Sequence, residues 1–377
     1  GQEGIIPSSD MHRTNANAGA TMQLGKRLKA GFSGNYANTQ LNKLPGGNDS
    51  YLFTVIGSPP SFDLMGTPYH QEGINGDYRQ ISYRRGAVGD NPRWALENYK
   101  WFENTDRFFG NTFLEAALAP WMTFKYQVGI DTYNTGNEEI YQMGGAATGQ
   151  FLPTAAHLPS PENPDNYTYI EPTGGQITNF GVSRTTINSL ATLRMDFKLG
   201  ENMDLNLVLG NEFNDMHSRK WEMIGTGFNV PGWNNMDNTN TQTAAEAKYR
   251  ERTAGFFANL ALNYKSLLYL NLTGRNDIVS HMPRGNRSFF YPSASLGFVF
   301  TELESLKGSS LLSFGKIRLS YAEVGQAGYF QENVYIKGGA GSGFVNDGIE
   351  YPVAGITGYK PDDLIIDPDL RPQNTVN

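Results

Sequence analysis

The stretch Thr253-Ala254-Gly255-Phe256-Phe257-Ala258-Asn259-Leu260-Ala261-Leu262-Asn263-Tyr264 alternates its side chains with a period of two. Ala254, Phe256, Ala258, Leu260, Leu262 and Tyr264 fall on one face; Gly255, Phe257, Asn259, Ala261 and Asn263 fall on the other. Successive strand side chains point to opposite faces, so this is a strand with one apolar and one wet side. A turn at Lys265-Ser266 restarts the pattern, with Leu268, Leu270 and Leu272 against Tyr269, Asn271, Thr273 and Arg275. A third segment sets Pro292, Ala294, Leu296, Phe298 and Phe300 against Ser293, Ser295, Gly297 and Thr301. A fourth sets Ile317, Leu319 and Tyr321 against Lys316, Arg318 and Ser320.

Two architectures share this pattern. In a soluble sandwich the apolar face turns inward to a core; in an outer-membrane barrel it turns outward to lipid, and the polar face lines a lumen. The connections decide between them. Earlier strands read at Asn15 to Leu24, Leu28 to Tyr36, Arg107 to Leu118, Trp121 to Tyr133, Ser189 to Leu199 and Leu205 to Glu212. Long Gly-, Pro- and Asn-rich loops cover Gln40 to Phe102, Asn134 to Val182 and Asn214 to Ala244, with helical turns expected near Ser50 to Val55 and Arg93 to Trp101. About ten strands result. Their connections run short, long, short, long, short, long, short, medium, short, long. Short turns at one rim and long loops at the other are the signature of an antiparallel transmembrane β-barrel.

Composition narrows the function. A formal charge of -7, with no Lys/Arg run interleaved with aromatics, argues against nucleic acid. With no cysteine there are no disulfides, thiolate zinc sites or cysteine nucleophiles. Mean hydropathy of -0.46 suits a barrel whose strands are half polar as well as a soluble chain. No run of 18 apolar residues offers a spanning helix. No signal peptide opens the chain, so it reads as a piece of a longer precursor.

Chemistry-bearing residues are sparse. Gly338 to Gly343 lacks the Lys and Ser/Thr of a phosphate loop, since Phe344 and Val345 follow. His12, His70, His157, His217 and His281 have no zinc spacing. Glu138-Glu139 and the acidic set Asp362, Asp363, Asp367 and Asp369 read as solvated loops. No Gly-x-Ser-x-Gly elbow occurs. Neither a catalytic residue, a cofactor site nor a metal site is assigned. Trp121, Tyr264, Tyr269 and Tyr291 lie near strand ends, where an interfacial girdle wants amphipathic rings. Trp221 and Trp233, read into a long outer loop, could stack on a sugar or peptide. The lumen-side residues Tyr269, Asn271 and Arg275 complete the candidate binding set.

Gly274-Arg275-Asn276-Asp277, continuing through Arg287, Phe290, Pro292, Ser293 and Ser295 to Gly297, resembles a signature of SusC/RagA-family TonB-dependent transporters. So do the run Lys316-Ile317-Arg318-Leu319-Ser320-Tyr321-Ala322-Glu323-Val324-Gly325 and the run Asp367-Pro368-Asp369-Leu370-Arg371-Pro372. Glu3-Gly4-Ile5-Ile6-Pro7 followed by His12-Arg13-Thr14-Asn15 is similar to an early barrel strand of the same family. The resemblance implies an outer-membrane importer of oligosaccharides or peptides. It also implies a SusD-like lipoprotein over the outer mouth and coupling to TonB–ExbB–ExbD through an N-terminal region. Plugged transporters have 22 strands, so residues 1–377 are expected to form part of one barrel domain, without its plug and C-terminal strands. The resemblance further implies a transporter in contact with membrane lipid and not an enzyme. Two rivals stay open: a complete ten-stranded barrel enzyme with a surface-rim site, and a soluble β-rich binding module.

Overall fold

Lys265 and Ser266 both adopt left-handed backbone, with φ of 50° and 56°. Such a pair builds the two-residue turn whose twist matches flanking antiparallel strands. Leu267 N donates to Tyr264 O at 2.9 Å and Ser266 N to Asn263 Oδ1 at 3.1 Å, which closes it. Gly25 (φ 82°) and Gly200 (φ 72°) serve two other hairpins at the same rim.

The computed structural model describes residues 1–44, 46, 51–72, 78–82, 90–144, 156–157, 174–307, 312–328, 335–337, 359–361, 367 and 369–376. Ten long strands follow one another: β1 (Asp10–Leu24), β2 (Leu28–Lys43), β3 (Tyr99–Ala119), β4 (Met122–Tyr141), β5 (Gln176–Lys198), β6 (Met203–Phe228), β7 (Thr239–Tyr264), β8 (Leu268–Val279), β9 (Ser288–Phe298) and β10 (Ile317–Gln326). Each pairs antiparallel with the next in an up-and-down meander, and the short strands Gln2–Glu3 and Gln373–Val376 flank it. The expected ten strands and the barrel-type sheet are therefore present. No described helix is long and apolar enough to cross a membrane. Two short helices, α1 (Tyr51–Ile56) and α2 (Pro92–Asn98), lie in the first long loop, close to where the sequence places helical turns. The Gly338–Gly343 loop lies outside the described residues.

The strands are longer than their apolar alternation suggests. β6 and β7 remain in register from Met203↔Tyr264 to Phe228↔Thr239. Backbone pairing needs no apolar side chain, so the ladder continues where the periodicity fades. The third long loop, read from sequence as Asn214 to Ala244, shrinks to residues 229–238 between these strands. Trp221 accordingly sits in β6 and not in a loop. The second long loop likewise shortens to residues 142–175. The β9–β10 connection, read as short, spans residues 299–316 and contains the 3-10 turn Phe300–Glu302.

The two faces differ as the alternation requires. Across strands, Phe197, Leu205, Leu262, Leu270, Leu296 and Leu319 occupy one row. The neighbouring row on the opposite face is Asp196, Asn206, Ala261, Asn271, Ser295 and Ser320. The apolar side chains are solvent-exposed in the isolated chain, among them Phe256, Leu272 and Leu319. An exposed apolar band of this extent, alternating with a polar face, fits lipid as its partner. On β7 the outward residues Ala254 to Tyr264 span ten residue steps. At ~3.3 Å per step and a tilt of ~40° this is a band ~25 Å tall, the height of a barrel's apolar girdle.

The two buried apolar clusters sit instead at the long-loop rim, above that band. One cluster joins Trp94, Ala95 and Tyr99 with Tyr69 and Tyr141. The other joins Ile140, Ile177 and Phe228 with Met143 and Met236. In the first long loop, Asn91 caps α2 by accepting from Arg93 N at 3.0 Å. Arg93 then ties the loop together, donating to the carbonyls of Leu64, Met65 and Thr67 and stacking over Tyr69. A hydrogen bond to Glu97, with some help from burial, raises the Tyr69 phenol above its usual range.

Candidate functional site

The polar face is concave. At its short-turn end a hollow of about 1060 Å³ is lined by Asp196, Asn206, Tyr269, Asn271, Ser295 and Arg318 among others. A hollow on the polar side and an exposed apolar side fit a wet inside and a lipid-facing outside. The hydrogen-bonding residues of alternate positions form the inner wall.

Of the candidate residues, Tyr269 and Asn271 are in this hollow. Lys316 Nζ sits 4.5 Å from the Tyr269 ring centre, and Asn259 donates to Asn271 Oδ1 at 3.1 Å. Tyr269 and Tyr291, expected in an interfacial girdle, face inward instead, because their register puts them in the polar rows. Trp121 and Tyr264 stay on the apolar side at the short-turn rim, where Trp121 packs against Phe197 at 5.1 Å between ring centres.

Higher on the same inner wall, Arg275 organises a charged network. Its guanidinium donates to Asp277 Oδ1 at 2.8 Å, to Tyr291 Oη at 3.1 Å and to Glu212 Oε2 at 3.0 Å. Tyr291 in turn donates to Asp277. Gly255 lies between Glu212 and Asp277 in the register, and its missing side chain opens the gap. A Cβ there would stand 2.6 Å from both Arg275 Nη2 and Asp277 Oδ1. Asn188 extends the network from Glu212 (3.2 Å) to Asn214 (2.7 Å). The network holds both signs of charge.

At the long-loop end the inner wall turns aromatic. Trp101 donates from Nε1 to Asn137 Oδ1 at 2.8 Å and lies 6.1 Å from the Phe180 ring. Lys43 covers Trp101 at 4.9 Å while pairing with Glu103 at 2.5 Å. Further cation–ring pairs recur down the inner face: Arg107 with Phe109, Lys125 with Phe113 and Arg275 with Phe257. The sequence reading missed the Trp101–Phe180–Asn137 cluster. Its members stand 36 and more residues apart and meet only through the β3–β4–β5 register.

Trp221 and Trp233 are not part of this wall. Trp221 belongs to the outward-facing positions of β6 and rests over Gly181, where a Cβ would come within 2.8 Å of its ring. Trp233 stands at the tip of the 229–238 loop, 54% exposed. Asn238, 2% exposed, builds that loop by donating to Val230 O and Trp233 O, both at 2.8 Å, and accepting from Val230 N at 3.0 Å. The five candidate residues therefore divide between the inner wall, the outer face and a loop tip. Among the described residues, no group of three or more His, Asp or Glu converges as metal donors.

No protein-family model matches the sequence. The TonB-dependent receptor P26 of Formosa agariphila is 24% identical over 332 residues, which covers 86% of this chain and 30% of that protein. The RagAB peptide importer in its open-open state superposes with a TM-score of 0.74 at 16% identity, covering 98% of this chain and 37% of that one. Its closed-closed state gives a TM-score of 0.71 at the same identity and coverage. The fold is that of a TonB-dependent receptor barrel. With the exposed apolar band, that fold fits a chain of the outer membrane. The chain spans about a third of the length of the relatives it matches.

Proposed function

We propose that this chain forms part of the wall of an outer-membrane importer that takes up nutrient oligomers, peptides or oligosaccharides, in a TonB-dependent way. The observation that carries the reading is the inner face. It presents amides, hydroxyls and cation-covered rings from the mouth at Trp101 and Phe180 to the hollow at Tyr269 and Asn271. Such groups suit holding and passing hydroxyl- or amide-rich solutes. The curated relative is a receptor and the structural neighbours are peptide importers, which supports transport over catalysis.

In this proposal the barrel works with a SusD-like lipoprotein seated on the long-loop rim. TonB–ExbB–ExbD acts through a plug that is not among residues 1–377. Both assignments follow from the resemblance to SusC/RagA transporters. The proposed solute contacts are Trp101, Phe180, Tyr269, Asn271 and Arg275 on the wall, with Trp233 at the loop tip.

The test is uptake by cells that depend on the full-length protein. Trp101→Ala with Phe180→Ala should lower uptake of labelled oligopeptide or oligosaccharide severalfold at unchanged surface level. Trp233→Ala should lower it less, and Trp221→Ala, whose ring faces away from the passage, should leave it unchanged. Hydrolysis of such an oligomer by the purified barrel would refute the transport reading.

A further inference from the structure

The outward face changes character abruptly where the apolar band stops. Above Phe213 on β6 the outward residues are Asp215, His217 and Arg219. Above Ala254 on β7 they are Arg252, Arg250, Lys248 and Glu246. The register sets His217 opposite Arg250 and Thr185, and Arg219 opposite Lys248 and Ser183. These residues line a groove of about 300 Å³.

The groove keeps an excess of positive charge. Asp215 accepts from Arg250 at 3.0 and 2.6 Å and from Arg252 at 3.2 Å. Glu246 takes Arg219 at 3.0 Å and Lys248 at 2.8 Å. Each carboxylate is thus shared by two cations, so four cations face two anions. All four cationic side chains remain 47–74% exposed, with donors to spare. The outward face of β1 to β4 is different along the same register rows. It carries Thr14, Asn38, Asp106 and Asn134, and Lys100, close to the loop rim, is its one Lys or Arg among the described residues. The cluster of positive charge is therefore local to β6 and β7, and it faces away from the inner wall.

Two, four and six residue steps above Ala254 raise Arg252, Arg250 and Lys248 ~5, ~10 and ~15 Å over the band edge, through the lipid headgroups and the sugars that follow them. We propose that this groove binds the phosphate-bearing headgroup of an outer-leaflet glycolipid. Arg219, Lys248 and Arg250 meet the phosphate, Ser183 and Thr185 meet sugar hydroxyls, and the acyl chains lie along Phe213, Ala254 and Phe256 below. Guanidinium groups match phosphate oxygens in paired geometry, and clustered basic residues at a membrane surface select anionic lipid. The site stands apart from the transport reading, because its residues point outward and not into the wall.

The experiment uses the full-length protein, purified in neutral detergent and titrated with diphosphorylated lipid A while bound lipid is counted by native mass spectrometry. Dephosphorylated lipid A and inorganic phosphate form the comparison arms. Diphosphorylated lipid A should bind at least tenfold more tightly than either. Arg219→Gln with Lys248→Gln should weaken it at least fivefold, while the inward neighbour Lys220→Gln should change it less than twofold. Both altered groove residues are more than half exposed, and heat-dependent gel migration checks that the barrel still folds. Equal binding of dephosphorylated lipid would overturn the proposal, as would an unaffected double variant. Inorganic phosphate binding as tightly as the lipid would overturn the assignment to a glycolipid.

Discussion

Replacing Leu260 with Arg tests the facing of every strand at once. Leu260 occupies an outward position between Leu207 and Leu272 in the register. Four residue steps separate it from Tyr264 and six from Ala254, or ~10 Å and ~15 Å of height. That places it near the middle of the band, where an Arg facing lipid costs about 2–4 kcal/mol. At about 1.4 kcal/mol per tenfold, the folded fraction falls roughly 30- to 700-fold relative to the unfolded one. The neighbouring Asn259 faces the wet side and donates to Asn271 Oδ1 at 3.1 Å and Thr273 Oγ1 at 3.0 Å. Asn259→Arg loses those two partly exposed bonds, each worth about 1 kcal/mol at most, and the new charge stays in water. Denaturant titration of the full-length barrel in lipid vesicles, followed by heat-dependent gel migration, measures both variants. If Asn259→Arg unfolded the barrel as easily as Leu260→Arg, the inside–outside assignment would be refuted.

Gly255→Ala should push the Arg275 guanidinium off Glu212, at about 1–3 kcal/mol for forced repacking; a double-mutant cycle between residues 212 and 275 should then lose its coupling. Asn238→Ala strands the carbonyls of Val230 and Trp233, so limited proteolysis should cut at 229–238 while the barrel's unfolding midpoint stays put. An epitope inserted at Gly232, whose surroundings are open, should be stained on intact cells, and one at Gly200 only after permeabilisation; the reverse result would invert the topology.

Where lipid is the partner, the fold was legible from side chains alone. Ala254, Phe256, Ala258, Leu260 and Leu262 must all face one way, and the solvent of that face imposes the alternation. Above the membrane both faces are wet, so Asp215, His217, Arg219 and Trp221 carry no apolar rhythm, and sequence reading ends the strand too early. Arg275 could be picked out from its place in the alternation. Its partner Glu212 could not, since 63 residues separate them and only the β6–β7–β8 register, with Gly255 between, brings them together. The mouth cluster of Trp101, Asn137 and Phe180 escaped for the same reason.

The length of β6 has a consequence for how a solute first meets this protein. From Phe213 to Phe228 the strand climbs fifteen residue steps beyond the band, roughly 40 Å of height at the tilt used above. That side of the wall is thus carried farther above the band than a bilayer's hydrocarbon is thick, whereas β8 ends at Val279, opposite Thr253 and level with the band's edge. A pore flush with the surface would be shaded by the carbohydrate chains of neighbouring lipids. In the importer proposed above, this one-sided parapet would lift part of the opening into that layer, so that a solute would first meet the protein among the cell's surface sugars.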